Sequence, residues 1–225
     1  MQVVLIRHAH SEANAKGVLS GRIGGVHLSA TGVKQSNDLI TRLGKIKLAA
    51  LHISPLERCR ETIDPWWVEI GQSHNRGVEI VEDENLIEVD YGTWSGKKLA
   101  MLSAHKLWKT VQNTPSAMYF PSGEGLAAMQ TRAMQAVHKS ILTKKKGSVV
   151  LVSHGDVIKS IVAASLGMHL DNFQRIIIDP ASVTVIDFNS GKPRLLLLND
   201  SRANLEDFIN GPARNANQLG GGAGK

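Results

Sequence analysis

The sequence predicts an α/β fold, a three-layer α/β/α sandwich around a mostly parallel sheet, and three observations predict it. Short apolar runs at 3–6, 49–53 and 148–152 alternate with longer stretches of helical periodicity. The first run is continuously apolar, as a strand covered on both faces requires, and the other two are nearly so. Unusual polar residues stand at their ends, where open parallel sheets place their ligands. At 225 residues, 42% apolar and 20% charged, the chain suits one ordinary domain and excludes wholesale disorder.

The elements follow in order. The first strand covers 3–6. Ser29 and Thr31 offer hydroxyl caps for a helix carrying Val33, Ile40 and Leu43 at helical spacing. A second strand covers 49–53. Pro55 suits a first helical turn, where its missing N–H costs nothing, and opens a helix running to about Gly71. A third short strand is expected over 78–81. From 97 to 123 a helix and a loop with Pro115 and Pro121 mix, and this stretch is expected as a lid insertion. Leu126, Met129, Ala133, Val137 and Ile141 recur at steps of three and four, which predicts an amphipathic helix ended by Gly147. The strongest strand signal is 148–152, followed by a helix over 156–166 and strands over 183–188 and 194–198. No internal repeat occurs. A single domain over 1–210 is therefore expected, with 211–225 a disordered, glycine-rich tail.

Lys and Arg number 26 against 20 Asp and Glu, a formal net charge of +6 that suits an anionic ligand. Four Trp, two Tyr and four Phe are too few to interleave with a basic stripe as a nucleic-acid surface would. The one dense basic run, Lys144-Lys145-Lys146, reads as a solvated helix end. No apolar run reaches the roughly 18 residues of a membrane span, and the apolar start is too short for a signal-peptide core. Cys59, the single cysteine, offers neither an internal disulfide nor a metal cluster. These features point to a cytoplasmic protein acting on a small anionic molecule, with neither nucleic acid nor membrane as partner. Nothing in the pattern specifies an oligomeric state.

Three strand ends carry the candidate chemistry. Arg7-His8-Ala9-His10, with Ser11 and Asn14 beyond, ends the first strand; Ser54-Pro55-Leu56-Glu57-Arg58 ends the second; Ser153-His154-Gly155 ends the strongest. Parallel neighbours bring Arg7, His8, Arg58 and His154 to one rim. Two arginines and two histidines there describe a pocket for a dianionic tetrahedral group, because guanidinium forks bind phosphate oxygens in pairs. Free N–H groups of the helix opened by Gly155 add to it. Each piece alone is ordinary, since a histidine after a strand is usually a satisfied polar residue. The conjunction carries the argument.

The same residues lie in segments that resemble one family. LIRHAHSEAN is similar to the LxRHGxxxxN signature of the histidine phosphatase superfamily, the phosphoglycerate-mutase-like enzymes. HLSATGVKQSNDL resembles its LSxxGxxQAxxL segment, ISPLERCRETI its SSPLxRAxxTA segment, NLIEVDYGTWSGK its LxExxxGxWEG segment, and VVLVSHGDVIKSIVAASLG its late VsHGxxIrxll block. The resemblance runs in family order over nearly the whole patterned chain and implies a phosphoglycerate-mutase-like fold. It implies that His8 is the nucleophile that takes the phosphoryl group, that Arg7, Arg58 and His154 form the phosphate pocket, and that Glu88 gives the leaving oxygen its proton. Asn14, Ser20 and Gly21 match positions near substrate or phosphate. The implied activity is hydrolysis of small phosphate monoesters through phosphohistidine, with no metal and no cofactor.

Elementary chemistry agrees with that implication. Neutral imidazole is a competent nucleophile, and neighbouring arginines disfavour its protonated form. Fixed cations meet the charge on the phosphoryl oxygens, and a carboxylic acid beside a crowded anion can hold the proton the alkoxide needs. Four positions depart from the family pattern. Ala9 stands for glycine, which is harmless unless the backbone there is glycine-only. Cys59 stands for alanine and reads as a small buried side chain. Ser95 stands for the glutamate of the WEG turn. At His10 a pocket-edge role and an exposed polar role both fit.

Other readings carry less. The His8-Ala9-His10 pair suits a binuclear metallohydrolase, but Glu12-Ala13 follow instead of an Asp-His pair, and no HExxH occurs. A non-catalytic binding module of this fold would have lost His8, Arg58, His154 or Glu88. A cofactor-dependent mutase would carry an ERHYG-like context and a longer insertion after the acid, where this chain has Glu88-Val89-Asp90-Tyr91-Gly92. The terminal GGGAGK lacks the preceding strand and following helix of a phosphate-binding loop.

Overall fold

The computed structural model describes residues 1–142, 146–189 and 191–202, with Leu205, Glu206 and Ile209. The expected tail at 211–225 and Lys144 and Lys145 of the basic run lie outside the described residues. Six strands make up the sheet: β1 (Gln2–Arg7), β2 (Leu48–Ile53), β3 (Ile80–Glu82), β4 (Ser148–Ser153), β5 (Val183–Asp187) and β6 (Arg194–Asp200). Their order is β3-β2-β4-β1-β5-β6. The pairs β1/β4, β4/β2 and β2/β3 are parallel, while β5 is antiparallel to both β1 and β6, so β5 alone opposes the rest. Among the described residues no helix is long and apolar enough to cross a membrane.

Four longer helices cover the two faces: α1 (Ala30–Leu43), α2 (Glu57–Trp66), α3 (Leu126–Ile141) and α4 (Gly155–Ser165). Alternation along the strands sorts their side chains. Val3, Leu5, Val149 and Leu151 pack with Leu126, Met129, Ala133, Val137, Ile158 and Ile161 of α3 and α4. Val4, Ile6, Val150 and Val152 face the other way, onto Leu39 and Leu43 of α1 and Cys59, Ile63 and Trp66 of α2. This is the three-layer sandwich expected from continuously apolar strands. Each fully buried Val, Leu or Ile contributes about 1.5–3 kcal/mol, so both layers hold the sheet.

The expected boundaries shift at several places. β3 starts at Ile80, because Val78 is drawn into a turn by its N–H to the Asn75 carbonyl at 3.0 Å. Pro55 lies ahead of the helix: Ser54 N–H still donates to Val152 O at 2.9 Å, Leu56 is the cap, and α2 begins at Glu57. The helical course also outlasts Gly71. Pro65 sits inside α2, a π-helical turn spans Trp67–Gly71, and a last turn reaches His74. Pro65 has no N–H for the Glu61 carbonyl, which accepts from Ser36 Oγ of α1 at 2.8 Å instead. α3 is capped at Leu142, ahead of Gly147. The stretch 97–123 holds two short helices, Leu99–Leu102 and Trp108–Asn113, and buries Leu102, Val111, Met118 and Phe120 against the α3/α4 layer.

The first turn of α1 presses on the segment after β1. The N-cap Ser29 accepts from Gly32 N–H, and a Cβ on Gly32 would lie 2.0 Å from the His10 carbonyl oxygen. Alanine is intrinsically the better helix residue by about 1 kcal/mol, yet this backbone contact cannot yield cheaply. Gly32→Ala is therefore expected to lower the unfolding free energy by about 1–3 kcal/mol in urea titration, against the helix-propensity trend.

Candidate active site

β1 and β4 are neighbours in the sheet, and the residues that follow them meet at its carboxyl edge. His8 continues the ladder by donating its N–H to Ser153 O at 2.9 Å, and the rings of His8 and His154 lie 5.1 Å apart between centroids. Arg7 is on the same pleat face as Val3 and Leu5, toward α4. There its Nη1 donates to Ile178 O at 2.5 Å. Gly155 opens α4 against this guanidinium, since a Cβ there would stand 3.4 Å from Arg7 Cζ. Arg58, in the first turn of α2, is wholly buried and donates through Nη2 to Gly21 O at 2.8 Å. Gly21 itself has φ +52, and a Cβ on it would meet Ser95 Oγ at 2.8 Å, so this loop needs glycine.

A cavity of about 470 Å³ opens at this edge. Arg7, His8, Asn14, Ser20, Gly21, Glu88 and Gly155 line it. Arg58 and His154 sit one layer behind, each 0% exposed. Asn14 commits its Oδ1 to the Ser11 N–H at 3.0 Å in a capping box, so it offers its Nδ2 to the cavity. His10 belongs elsewhere. Its Nδ1 meets Ser29 Oγ at 2.8 Å, its N–H donates to Gln35, and it does not line the cavity.

Hydrogen bonds fix both imidazole tautomers. The Ala9 carbonyl, 2.8 Å from His8 Nδ1, can only accept, so Nδ1 carries the proton and Nε2 keeps its lone pair. At His154 the Arg58 Nη2, at 3.4 Å, can only donate, so Nδ1 accepts and Nε2–H points to Ser54 Oγ at 2.8 Å. Burial, and then Arg58, holds both histidines well below the usual imidazole range. His154 Nδ1 and Glu88 Oε2, 3.9 Å apart, are therefore in contact without an ion pair. Glu88 moves the opposite way: burial first, then Asp156, pushes its carboxyl up to about 7. Ala9 takes no left-handed backbone angle and is held by its N–H to Thr62 Oγ1 at 2.8 Å, so glycine is not required there. Cys59 is buried beside His154, with its thiol pushed up to about 12 by desolvation.

Three charged residues that the strand-end reading did not single out hold the Glu88 segment. Arg22 Nε and Arg132 Nη2 both donate to the Glu88 carbonyl, at 2.8 and 3.1 Å. Arg132 Nη1 also donates to Asn85 O and Ile87 O. Glu124 ties the two arginines together, accepting from Arg22 at 2.8 Å and Arg132 at 2.7 Å. Their sequence signal is faint, because Glu124 and Arg132 flank the start of an amphipathic helix as any solvated pair does. Asp156, reached by Tyr91 Oη at 2.9 Å, stands next to the Gly155 already singled out. Among the described residues no group of three or more His, Cys, Asp or Glu is placed to hold a metal ion.

Comparison with known proteins gives a consistent picture. The pattern of the histidine phosphatase superfamily (branch 1) matches residues 3–201. Phosphoserine phosphatase 1 of Hydrogenobacter thermophilus is 29% identical over 201 residues, covering 88% of this chain and 92% of its own. The 2,3-bisphosphoglycerate-dependent phosphoglycerate mutase of Thermoplasma acidophilum is 28% identical, covering 84% and 88%. Among solved structures, Bacillus stearothermophilus YhfR superposes with a TM-score of 0.79 at 25% identity, over 88% of this chain and 96% of its own. The alpha-ribazole phosphatase from Shigella flexneri shares the fold at a TM-score of 0.78 and 23% identity, over 90% and 98%.

The raised carboxyl of Glu88 has a consequence for stability. Below its unfolded value of 4.5 the residue is neutral in both states, so nothing is lost. As pH rises from 4.5 toward about 7, the unfolded chain ionises first and the folded state loses ground. Glu88→Gln removes that loss. Its melting temperature relative to the parent is expected to rise through this window and level off above it, a gain of about 2–4 kcal/mol by pH 8. A difference that stays flat from pH 4 to 8 would show that Glu88 is not held neutral.

Proposed function

The chain belongs to the histidine phosphatase superfamily and is a phosphatase of it; we propose that it hydrolyses small phosphate monoesters through phosphohistidine on His8, without a metal ion. One observation carries this reading. A neutral, buried imidazole with its Nε2 lone pair free lies within the field of two arginines and lines the same cavity as a carboxyl that stays protonated to about 7. The nucleophile, the cationic wall and the acid are then all in their working protonation states near neutral pH.

In the proposed cycle the phosphoryl group rests against Arg7 and the N–H groups at the start of α4, with Arg58 and His154 as the positive and polar wall behind His8. Among the described residues buried Arg7 Nε has no hydrogen-bond partner and Arg7 lines the cavity, which supports an anion as its partner; Arg58 Nε and Nη1, likewise without one, leave an uncompensated charge behind it. His8 Nε2 forms a bond to phosphorus as the ester P–O bond breaks, and Glu88 passes its proton to the leaving alkoxide. Water then attacks phosphohistidine, gives a proton to the Glu88 carboxylate, and inorganic phosphate departs. Asn14, Ser20 and Gly21 bound the phosphoryl end of the cavity. The stretch 97–123, which contributes Leu99, Trp108, Val111, Gln112 and Phe120, serves as the lid over the leaving group.

Rapid quenching with labelled substrate should trap label that is acid-labile and alkali-stable, as a phosphoramidate is. The label should be absent in His8→Ala, and its yield should be indifferent to prolonged chelation. Label that survives acid would place the covalent step on a different residue, and loss of turnover with EDTA would restore a metal to the mechanism.

The acid can be separated from the binding machinery by leaving group. Glu88→Gln is expected to slow phosphoenzyme formation from alkyl phosphates by about 10²–10⁴-fold, the usual range for general acid catalysis. Formation from p-nitrophenyl phosphate, whose phenolate leaves unprotonated, should change far less, whereas an Arg58 substitution should harm both substrates alike. Equal slowing of both substrates in Glu88→Gln would assign Glu88 an electrostatic role.

A further inference from the structure

On the reading that this cavity takes a phosphate monoester, we propose that the alcohol half of the substrate is uncharged and apolar, an aromatic or branched aliphatic group. Esters carrying a second anion are selected against. The two ends of the cavity differ in chemistry. Arg7, His8 and Gly155 make the phosphoryl end. The remaining wall sets an apolar side of Leu19, Leu99, Trp108, Val111 and Phe120 beside the polar Gln112 and Gln174. Its aromatic members form one packed group. Phe120 meets Tyr91 edge-on at 4.9 Å and Trp94 at 5.4 Å, and Trp108 stacks on Trp94 at 6.4 Å with 20° between planes. Such a wall is held rigid and offers flat apolar surface.

Charge in this outer part is weighted toward carboxylate. Beyond Arg7, Lys159 is the one cation among the described residues that line the cavity. Its Nζ lies 3.3 Å from Asp156 Oδ1, 3.2 Å from Gln174 Oε1 and 5.8 Å from the Phe173 ring centroid, so its charge and donors are engaged. The other charged groups on that wall are carboxylates, Asp156 and Asp179. Asp179 accepts from Asn199 Nδ2 at 2.9 Å and has no cation beside it in that bond. A substrate carboxylate or second phosphate would lose its water against apolar side chains, meet like charge at Asp179, and find Lys159 taken. An uncharged ring or branched chain meets favourable contact at Leu19, Leu99, Trp108, Val111 and Phe120, and brings no charge to be desolvated.

The test compares benzyl phosphate with 3-phosphoglycerate and phosphoserine, all alkyl esters, by phosphate release from the full chain. Benzyl phosphate is expected to have a kcat/KM at least about 10-fold higher, the discrimination an apolar pocket commonly provides. Ile177→Arg adds a cation at an exposed position of the rim, 67% accessible, where it does not disturb the core. It should raise kcat/KM for the two carboxylate-bearing esters by about 5–10-fold and narrow the ratio, and a ratio unmoved by that arginine overturns the charge argument. Equal or better turnover of 3-phosphoglycerate by the parent enzyme overturns the proposal and leaves the phosphatase reading standing. Failure to release phosphate from any of the three, with no label on His8, overturns both.

Discussion

A guanidinium buried without a full set of partners is the constraint on which the site depends. Arg58 is 0% exposed, spends Nη2 on Gly21 and His154, and leaves Nε and Nη1 unpaired. Removing such a charge from water costs several kcal/mol, and among the described residues no carboxylate in direct contact repays it. The surroundings are arranged to bear that cost. α2 is pinned to α1 through Ser36, which reaches the carbonyls of Glu61 and Thr62, and Thr62 Oγ1 donates to the Arg58 carbonyl while accepting from Ala9 N–H. One threonine therefore ties the Arg58 turn to the residue after His8. Burial first, and then the same charge, keeps the two imidazoles neutral, so a structural liability helps to set their protonation state.

The Glu88 carboxyl has to resist that field. Glu88 sees Arg58 and Arg7, both of which favour its ionised form, yet burial and Asp156 outweigh them. Desolvation acts on charged forms of either sign, so it lowers histidine and raises glutamate within one cluster. Holding the carboxyl where desolvation wins requires a fixed backbone. Arg22 and Arg132 supply this by gripping the Glu88 carbonyl, with Glu124 neutralising them at a distance from the carboxyl itself. Charges that would otherwise pull Glu88 toward ionisation are thus spent on a neighbouring carboxylate.

Sequence reasoning reached the parts of this arrangement that local pattern encodes. Continuous apolar runs give away strands covered on both faces, and polar residues at their ends give away the rim, so Arg7, His8, Arg58 and His154 were legible together. Glu88 was legible only through the family resemblance, because it lies in irregular chain where no periodicity speaks. The burial of Arg58 and His154 behind the cavity wall was not legible, since spacing locates a residue along a strand end and says nothing of depth. The fate of His10 turned on Gly32, whose lack of a Cβ lets α1 close on the His10 carbonyl and leaves the ring on Ser29. Pro55 was read as helical because propriety for a first turn is local, whereas the sheet bond from Ser54 to Val152 is a tertiary contact that holds the chain extended. Arg132 and Glu124 escaped because a buried clamp and a solvated ion pair look alike in one dimension.

The division of the cavity follows from where each wall comes from. The phosphoryl end is made by residues that cap strands of the central sheet, whose register is locked because a one-residue slip would turn Arg7 from one face to the other. The other end is made mainly by the short helices of 97–123, which rest on the core through Leu102, Val111, Met118 and Phe120, and by the segment after α4, which is tied to strands through Ile178 and Asp179. Substitutions there need only preserve apolar contact, so that wall can change its charge and shape while the chemistry beside it stays fixed. On the proposed reading, a chain that keeps the sheet-borne arginines and histidines but carries no uncommitted cation on the outer wall keeps the reaction and sets its selectivity separately. In such a site the contacts that decide which ester enters are physically independent of those that break its P–O bond.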